Sequence, residues 1–301
     1  MENGRSGARP PRVDVRERLV RLAALAPLPR RSQELVLLLA DPDLDILQLI
    51  TLIEQTPALA ARIMGVAESA LFGHRQPPRH VADAVMRVLG LDLVRDLSLS
   101  LILSRQFNAE KCRRFDGLRY WRHAMLTAKL AHDLAMAATD MDIAERQSAY
   151  LGGLLHSLGM LALADVAPEL MDQVLQQAAD AGAPPLSELQ RRAMGLDYAG
   201  AGGAVATAWG LPQRLVACMA AHRDRAYDGY FRALVTVVRL ADRIAACYLE
   251  KESVETCAET CATEWAWLGV CPATRGSLLA RWYADADEVD ALAKLFAGKV
   301  S

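Results

Sequence analysis

The sequence has almost no net charge. Its 34 lysines and arginines stand against 36 aspartates and glutamates, giving a formal charge of −2 and a pI of about 6.3. Holding a phosphate backbone by counterion release needs a basic field, so nucleic acid is a poor partner for the body of the chain. The local exception is the start, where Arg5, Arg9, Arg12, Arg16, Arg18 and Arg21 outnumber the acids. An apolar leader is also missing. The first dozen residues are rich in Gly, Pro and Arg, which predicts a disordered tail over residues 1–12 and no signal peptide. The uncharged stretch from Tyr198 to Gln213 is broken by four glycines and Pro212. It falls short of the roughly 20 apolar residues of a spanning helix, so no membrane association is expected.

Cysteines are few, six in 301 residues, and scattered. Without an export signal they are expected as reduced thiols in the cytoplasm. Cys257 and Cys261 stand four apart with Cys271 ten further on, which raises zinc. A structural zinc site wants four ligands, usually as two close pairs, and no histidine follows Cys261. Ordinary core thiols are the preferred reading.

Alternating β-branched runs are scarce too, and helical periodicity fills most of the chain. The expected fold is all-α and two-lobed, since 301 residues suffice for two ordinary cores and 52% are hydrophobic. Helices are predicted over 13–26, from Arg31 to before Asp41-Pro42, and then from a cap at Asp43 or Asp45 with Leu44, Leu47, Ile50 and Ile53 on one buried face. Thr56 caps the next helix, with Pro57 at its first position. Val81, Val85, Val88 and Leu89 mark a further turn ending at Gly90, and Leu91 to Phe107 a long apolar helix. Residues 13–112 form the predicted N-terminal lobe. The polar cluster from Asn108 to Gly117 is the junction. A helical bundle is predicted over 113–250, including one helix from Ala144 to Ala164, and an extension over 251–301 whose Trp265, Trp267 and Trp282 pack on the second lobe.

Four segments together resemble the HDOD family, a degenerate relative of the HD and HD-GYP metal-dependent phosphohydrolases. They are ITLIEQTPAL (Ile50 to Leu59), ARIMGVAESALFG (Ala61 to Gly73), VADAVMRVLGLDLVRDLSL (Val81 to Leu99), and a second-lobe set. That set is Tyr120-Trp121-Arg122-His123, GGLLHSLGMLAL (Gly152 to Leu163) and WGLPQRLVACMAAH (Trp209 to His222). Thr56 stands where the family has aspartate, and Glu68-Ser69 where it usually has Asn-Ser. The resemblance implies an N-terminal helical lobe beside an HD-like bundle.

It also implies a site. Active HD enzymes hold one or two metal ions with a histidine, a His-Asp pair, further histidines and a distal aspartate. Imidazoles supply directional nitrogen ligands, carboxylates neutralise and bridge the cations, and the metals acidify a water and clamp phosphate oxygens. By resemblance these positions are His123, His156 with Ser157 in place of the aspartate, Tyr198 in place of a histidine, His222 followed by Arg223 in place of the second histidine, and Asp242. Three ligands are thereby lost or neutralised. A guanidinium within a few ångströms of a divalent ion costs several kcal/mol at an effective dielectric near 20, so a dimetal centre is not expected. His123, His156 and Asp242 could still hold one divalent metal, but a hydrogen-bonded polar cluster without cofactor is the preferred reading.

His132-Asp133 is a literal His-Asp pair nine residues after His123, half a helical turn away, and is expected to face solvent. His74 and His80 flank Pro77-Pro78 and receive no role. Gly200, Gly202 and Gly203 lack the strand and the Lys of a phosphate loop and are expected to let helices approach, with Trp209 as anchor. Leu71 and Phe72 suit either an exposed interaction surface or the core.

The function implied is a standalone, non-catalytic regulatory module acting on a signalling protein, by resemblance within a cyclic-dinucleotide, stress or motility pathway. The alternative is a residual metal-dependent phosphohydrolase acting on a nucleotide or phosphodiester through His123, His156 and Asp242.

Overall fold

The computed structural model describes residues 45–69, 72 and 78–297, together with Val15, Val36 and Leu39. The predicted tail, most of the arginine-rich start, the bulk of the two helices expected before Asp45, Leu71 and His74 lie outside the described residues. Those described are helical, with no strand among them.

The first described helix, α1, is Ile46–Glu54, capped by Asp45, whose carboxylate accepts from Leu47 N at 3.2 Å. Its buried stripe is Leu49, Ile50, Leu52 and Ile53, and Leu47 is 63% exposed, contrary to the expected face. The reason is register: a helix buries positions at i, i+3, i+4 and i+7, and starting that pattern at Ile46 leaves Leu47 on the flank. α2 is Pro57–Ala67. Thr56 holds the N-cap position but makes no cap bond, and its hydroxyl donates back to Leu52 O at 3.2 Å. α3 is Val81–Asp83, which widens into the π-helical turn Ala84–Leu89. α4, Leu91–Ser104, is buried along most of its length, Asp96 included.

α5, Gly117–Ala137, is the axis of the second half, with Leu126, Leu130 and Leu134 fully buried. Burying each such side chain contributes about 1.5–3 kcal/mol. The single helix expected over 144–164 is two, α6 (Ile143–Leu155) and α7 (Leu158–Val166), broken at His156-Ser157. Just beyond the break, Gly159 lets α7 pack closely. A Cβ there would lie 1.9 Å from Tyr198 O, so only glycine lets α7 turn onto the helix that Tyr198 begins. Ile143–Val166 taken together is long and apolar enough to cross a membrane, although it carries charged residues. In this structure 83% of its most apolar window is buried inside the bundle.

The chain continues through α8 (Pro168–Ala178), α9 (Leu186–Met194), α10 (Tyr198–Ala208), α11 (Gln213–Ala221) and α12 (Arg232–Leu249). α5, α6 and α12 pack mutually, while α10 lies between α7 and α11. Gly203 permits that second contact, since a Cβ on it would meet Ala220 Cβ at 2.6 Å. Trp209 stacks on Phe107 with ring centroids 5.4 Å apart. The expected junction docks on the bundle through Lys111–Asp165 and through Arg114 N, which donates to Asp172 Oδ1 at 2.8 Å.

After Lys251 come α13 (Val254–Glu259), α14 (Ala262–Trp267), α15 (Pro272–Ala284) and α16 (Ala286–Ala297). Trp265 and Trp282 are buried, and Trp282 Nε1 donates to Leu126 O on α5 at 3.0 Å. Trp267 is not; it lies at the surface with the Arg232 guanidinium 4.6 Å over its ring. The extension packs on the second lobe as expected, and α16 reaches α2 of the first as well as α5. Arg62 of α2 donates to Leu295 O and Phe296 O, holding that end across the two halves. Cys257 and Cys261 are buried as expected of core thiols, whereas Cys271 is exposed. Phe72 is half-buried and packs against the core, which favours its core role over a free surface.

Candidate functional site

Two histidines arrive at the centre of the bundle because helices end there. His156 is the C-cap of α6 and His222 the C-cap of α11. Each ring faces a carbonyl of its own last turn: His156 Nδ1 is 2.6 Å from Gly153 O, and His222 Nδ1 is 2.9 Å from Cys218 O. A carbonyl only accepts, so both Nδ1 atoms carry the proton. Both Nε2 atoms are buried and make no hydrogen bond of good geometry. The ring centroids of His123 and His222 each lie 5.1 Å from that of His156.

Asp242, on α12, is buried beneath the three rings. Its Oδ1 is 3.2 Å from His156 Nε2 and 3.3 Å from His123 Nε2, and its backbone O is 3.3 Å from the same His123 nitrogen. Its Oδ2 is 3.3 Å from Arg223 Nη1. Tyr198 begins α10 and is buried with its ring centroid 5.6 Å from that of His222. Ser157 follows His156, its hydroxyl buried with no partner and the Tyr120 phenol beside it.

Burial pushes His123 down to about 4 and His222 down to about 3, so both rings are neutral near pH 7. Burial works against ionisation of Asp242, but the facing His156, His123 and His222 hold its carboxyl well below the usual carboxylate range. The neighbouring Tyr198 raises Arg223 despite its burial, and burial with the nearby Asp242 raises the Tyr198 phenol.

The fold thus gathers His123, His156, Tyr198, His222, Arg223 and Asp242 into one cluster, with Ser157 at its edge. Among the described residues, His123, His156 and Asp242 are the one group with metal-binding geometry, their ligand atoms all within 4.8 Å of one another. The donor set fits one divalent ion. Separations of 3.2–3.3 Å across Asp242 Oδ1 match adjacent ligands on bonds of about 2.0–2.2 Å, and His156, fixed through Nδ1, presents Nε2 as metal-binding histidines do. It does not fit two ions. Ser157 cannot bridge, Tyr198 offers a neutral phenol, and Arg223 takes the second oxygen of Asp242.

The orienting carbonyls of Gly153 and Cys218 escaped the sequence reading, because a backbone acceptor at a helix end leaves no side-chain signature. Asp96 escaped it as well, although an acid within an apolar helix was a visible signal. His132 is exposed as expected. Asp133 is only partly exposed, with Arg281 of α15 at 3.9 Å and Lys129 at 3.7 Å.

Known proteins share this arrangement of helices. A candidate signal-transduction protein of Marinobacter aquaeolei VT8 superposes with a TM-score of 0.78 at 23% identity, over 94% of this chain and 66% of its own. A candidate phosphohydrolase of Shewanella amazonensis SB2B gives 0.75 at 21% identity, over 93% of this chain and 98% of its own. An HDOD domain protein of Geobacter sulfurreducens gives 0.72 at 22% identity, over 93% and 98%. In sequence, an uncharacterised protein of Treponema pallidum (strain Nichols) is 25% identical over 242 residues, 77% of this chain. The chain spans only 46% of that relative's length. The profile of the HDOD domain matches residues 25–225, well over half of the 301, and the chain therefore belongs to the HDOD domain family.

Proposed function

We propose that this HDOD protein is a cytoplasmic regulatory module that acts through a signalling protein partner and does not hydrolyse phosphoesters. The observation that carries the reading is Arg223 Nη1 at 3.3 Å from Asp242 Oδ2. In a two-metal hydrolase the carboxylate oxygens face cations, and here a fixed cation from the chain itself occupies one of them. Ser157 removes the anion that would draw the ions together. What is left neutralises one charge with another inside a packed bundle, which specifies a structure but supplies neither an activated water nor a phosphate clamp.

The unpartnered Nε2 atom of His156 favours a second reading, a residual phosphohydrolase holding one ion at His123, His156 and Asp242. Such an ion would supply Lewis acidity to a bound phosphate oxygen. Metal analysis of the purified full chain after exposure to manganese, iron or zinc, with nucleotide and phosphodiester turnover measured on the same sample, separates the two. The regulatory reading expects intact substrates. Metal-dependent turnover that His156→Ala abolishes would establish the other.

A further inference from the structure

A second site lies on the far side of α5, in a cavity of about 860 Å³ that shares no residue with the histidine cluster. Its walls come from both halves of the chain and from the C-terminal helix α16, with Leu97, Met125, Ile143, Leu292 and Phe296 among its apolar lining. The size suits a small organic ligand, since such pockets run to about 300–1,000 Å³. Its charges narrow the choice. Four carboxylates line it, Asp92, Asp96, Asp133 and Asp285, against the cationic Lys129 and Arg146.

Both cations are already engaged. Arg146 spends its guanidinium on the carbonyls of Ala135, Ala138 and Met141, at and just beyond the end of α5. Lys129 sits 2.9 Å from Asp285. Asp92 is likewise served, 3.1 Å from Arg95. Two carboxylates are left short. Asp96 is 3% exposed, and its nearest cation is Arg95 Nε at 3.8 Å, beyond good hydrogen-bond reach. Asp133 Oδ2 is buried with no hydrogen bond, its cations standing 3.7 and 3.9 Å away. Buried carboxyls are ordinarily hydrogen-bonded, and two such acids beside an apolar cavity call for a donor from outside the chain.

We propose that this cavity binds a small molecule with an apolar body and a protonated amine, its positive charge drawn to the carboxylates of Asp96 and Asp133 on the cavity wall. Burial holds Asp96 up to about 8, so a ligand's positive charge would also draw it into its ionised form. Phosphate-bearing ligands, cyclic dinucleotides among them, would meet four carboxylates and no free cation. Because α2, α4, α5, α6 and α16 all contribute to the wall, occupancy would fix the two halves relative to each other and so present or withdraw a docking surface.

Isothermal titration of the full chain with three molecules of one indole body decides it: tryptamine, the neutral tryptophol and the anionic indole-3-acetate, with hexylamine and phenethylamine as further amines. Tryptamine is expected to saturate and to bind at least about tenfold tighter than tryptophol, with indole-3-acetate silent. Asp96→Asn should bring tryptamine down to the tryptophol level while leaving tryptophol unchanged. Should that variant fail to fold, Asp133→Asn, at a partly exposed position, carries the same test and should also weaken tryptamine selectively. Equal binding of amine and alcohol, a preference for the acid, or no saturation by any of the three amines overturns the proposal. None of these outcomes depends on whether the histidine cluster hydrolyses anything.

Discussion

Arg223 and Asp242 meet inside the bundle, Nη1 to Oδ2 at 3.3 Å, while the other oxygen of the same carboxylate faces His123 and His156. One aspartate is therefore divided between a permanent cation of the chain and two imidazoles. Asp242 is buried but the Arg223 side chain is 40% exposed, so losing the aspartate leaves a guanidinium that water can solvate, and the cost is that of the lost buried contacts, about 1–3 kcal/mol. Asp242→Ala is accordingly expected to lower stability by about that amount, read as a drop in the midpoint of chemical denaturation. A change below about 1 kcal/mol would show that the pair is not structurally engaged.

The three-fold exchange Ser157→Asp, Tyr198→His, Arg223→His restores the ligands that the active relatives use. It is expected to raise the affinity for manganese or zinc well above that of the natural chain. Ser157→Asp alone should raise it only modestly, because a guanidinium about 4–5 Å from a divalent ion still repels it by roughly 7 kcal/mol at an effective dielectric near 20, before solvent screening of its exposed part. Titration with a competing metallochromic chelator measures both. If the single exchange matches the triple one, Arg223 is not the obstacle.

Acid should destabilise the protein earlier than carboxylates alone would cause. His222 is held near 3 and His123 near 4, against about 6.5 in the unfolded chain. Below 6.5 the unfolded state binds protons that the folded state refuses, so stability present above that pH is lost as it falls towards 4. The slope is roughly 1 kcal/mol per pH unit for each histidine. His123 is 21% exposed and more screened, so His222, fully buried, carries the larger share. Denaturation midpoints at pH 7, 6, 5 and 4.5 read the slope, and His222→Gln should flatten it. An unchanged slope in that variant contradicts the assignment.

Gly159→Ala should fail to fold or lose most of its stability, because its Cβ would lie 1.9 Å from Tyr198 O and 2.5 Å from Gly202 N, and backbone cannot step aside as a side chain can. Gly276→Ala, with nothing near its Cβ, is the control and should be silent. Circular dichroism melts compare the two, and similar behaviour would show that α7 does not turn on Gly159.

Much of the site was legible from sequence because it rides on residue types. His123, His156, His222 and Asp242 stand out as chemistry-bearing side chains at helix ends or on buried faces, and the substitutions at Ser157, Tyr198 and Arg223 are visible once the positions are aligned with the family. Elements bounded by Asp, Pro and Gly were legible for the same reason, as with the Asp45 cap and the Pro57 start. What could not be read is long-range. The close packing of α7 depends on Gly159 meeting Tyr198 O from almost 40 residues away. The cavity needs Asp96, Asp133 and Phe296 brought together by a C-terminal helix whose own sequence says only that it is amphipathic. Leu47 was misplaced because a spacing of three, followed without its i+4 partners, drifts off the buried stripe.

The central claim, that Arg223 and Ser157 have removed the dimetal chemistry from an HD-like pocket, is tested most directly by metal content and turnover on one preparation. The natural full chain is incubated with excess manganese, desalted, assayed for bound metal, and given a phosphodiester and a nucleotide. The expected result is well under two ions per chain and both substrates unchanged. Two tightly held ions with hydrolysis lost in His156→Ala would contradict it.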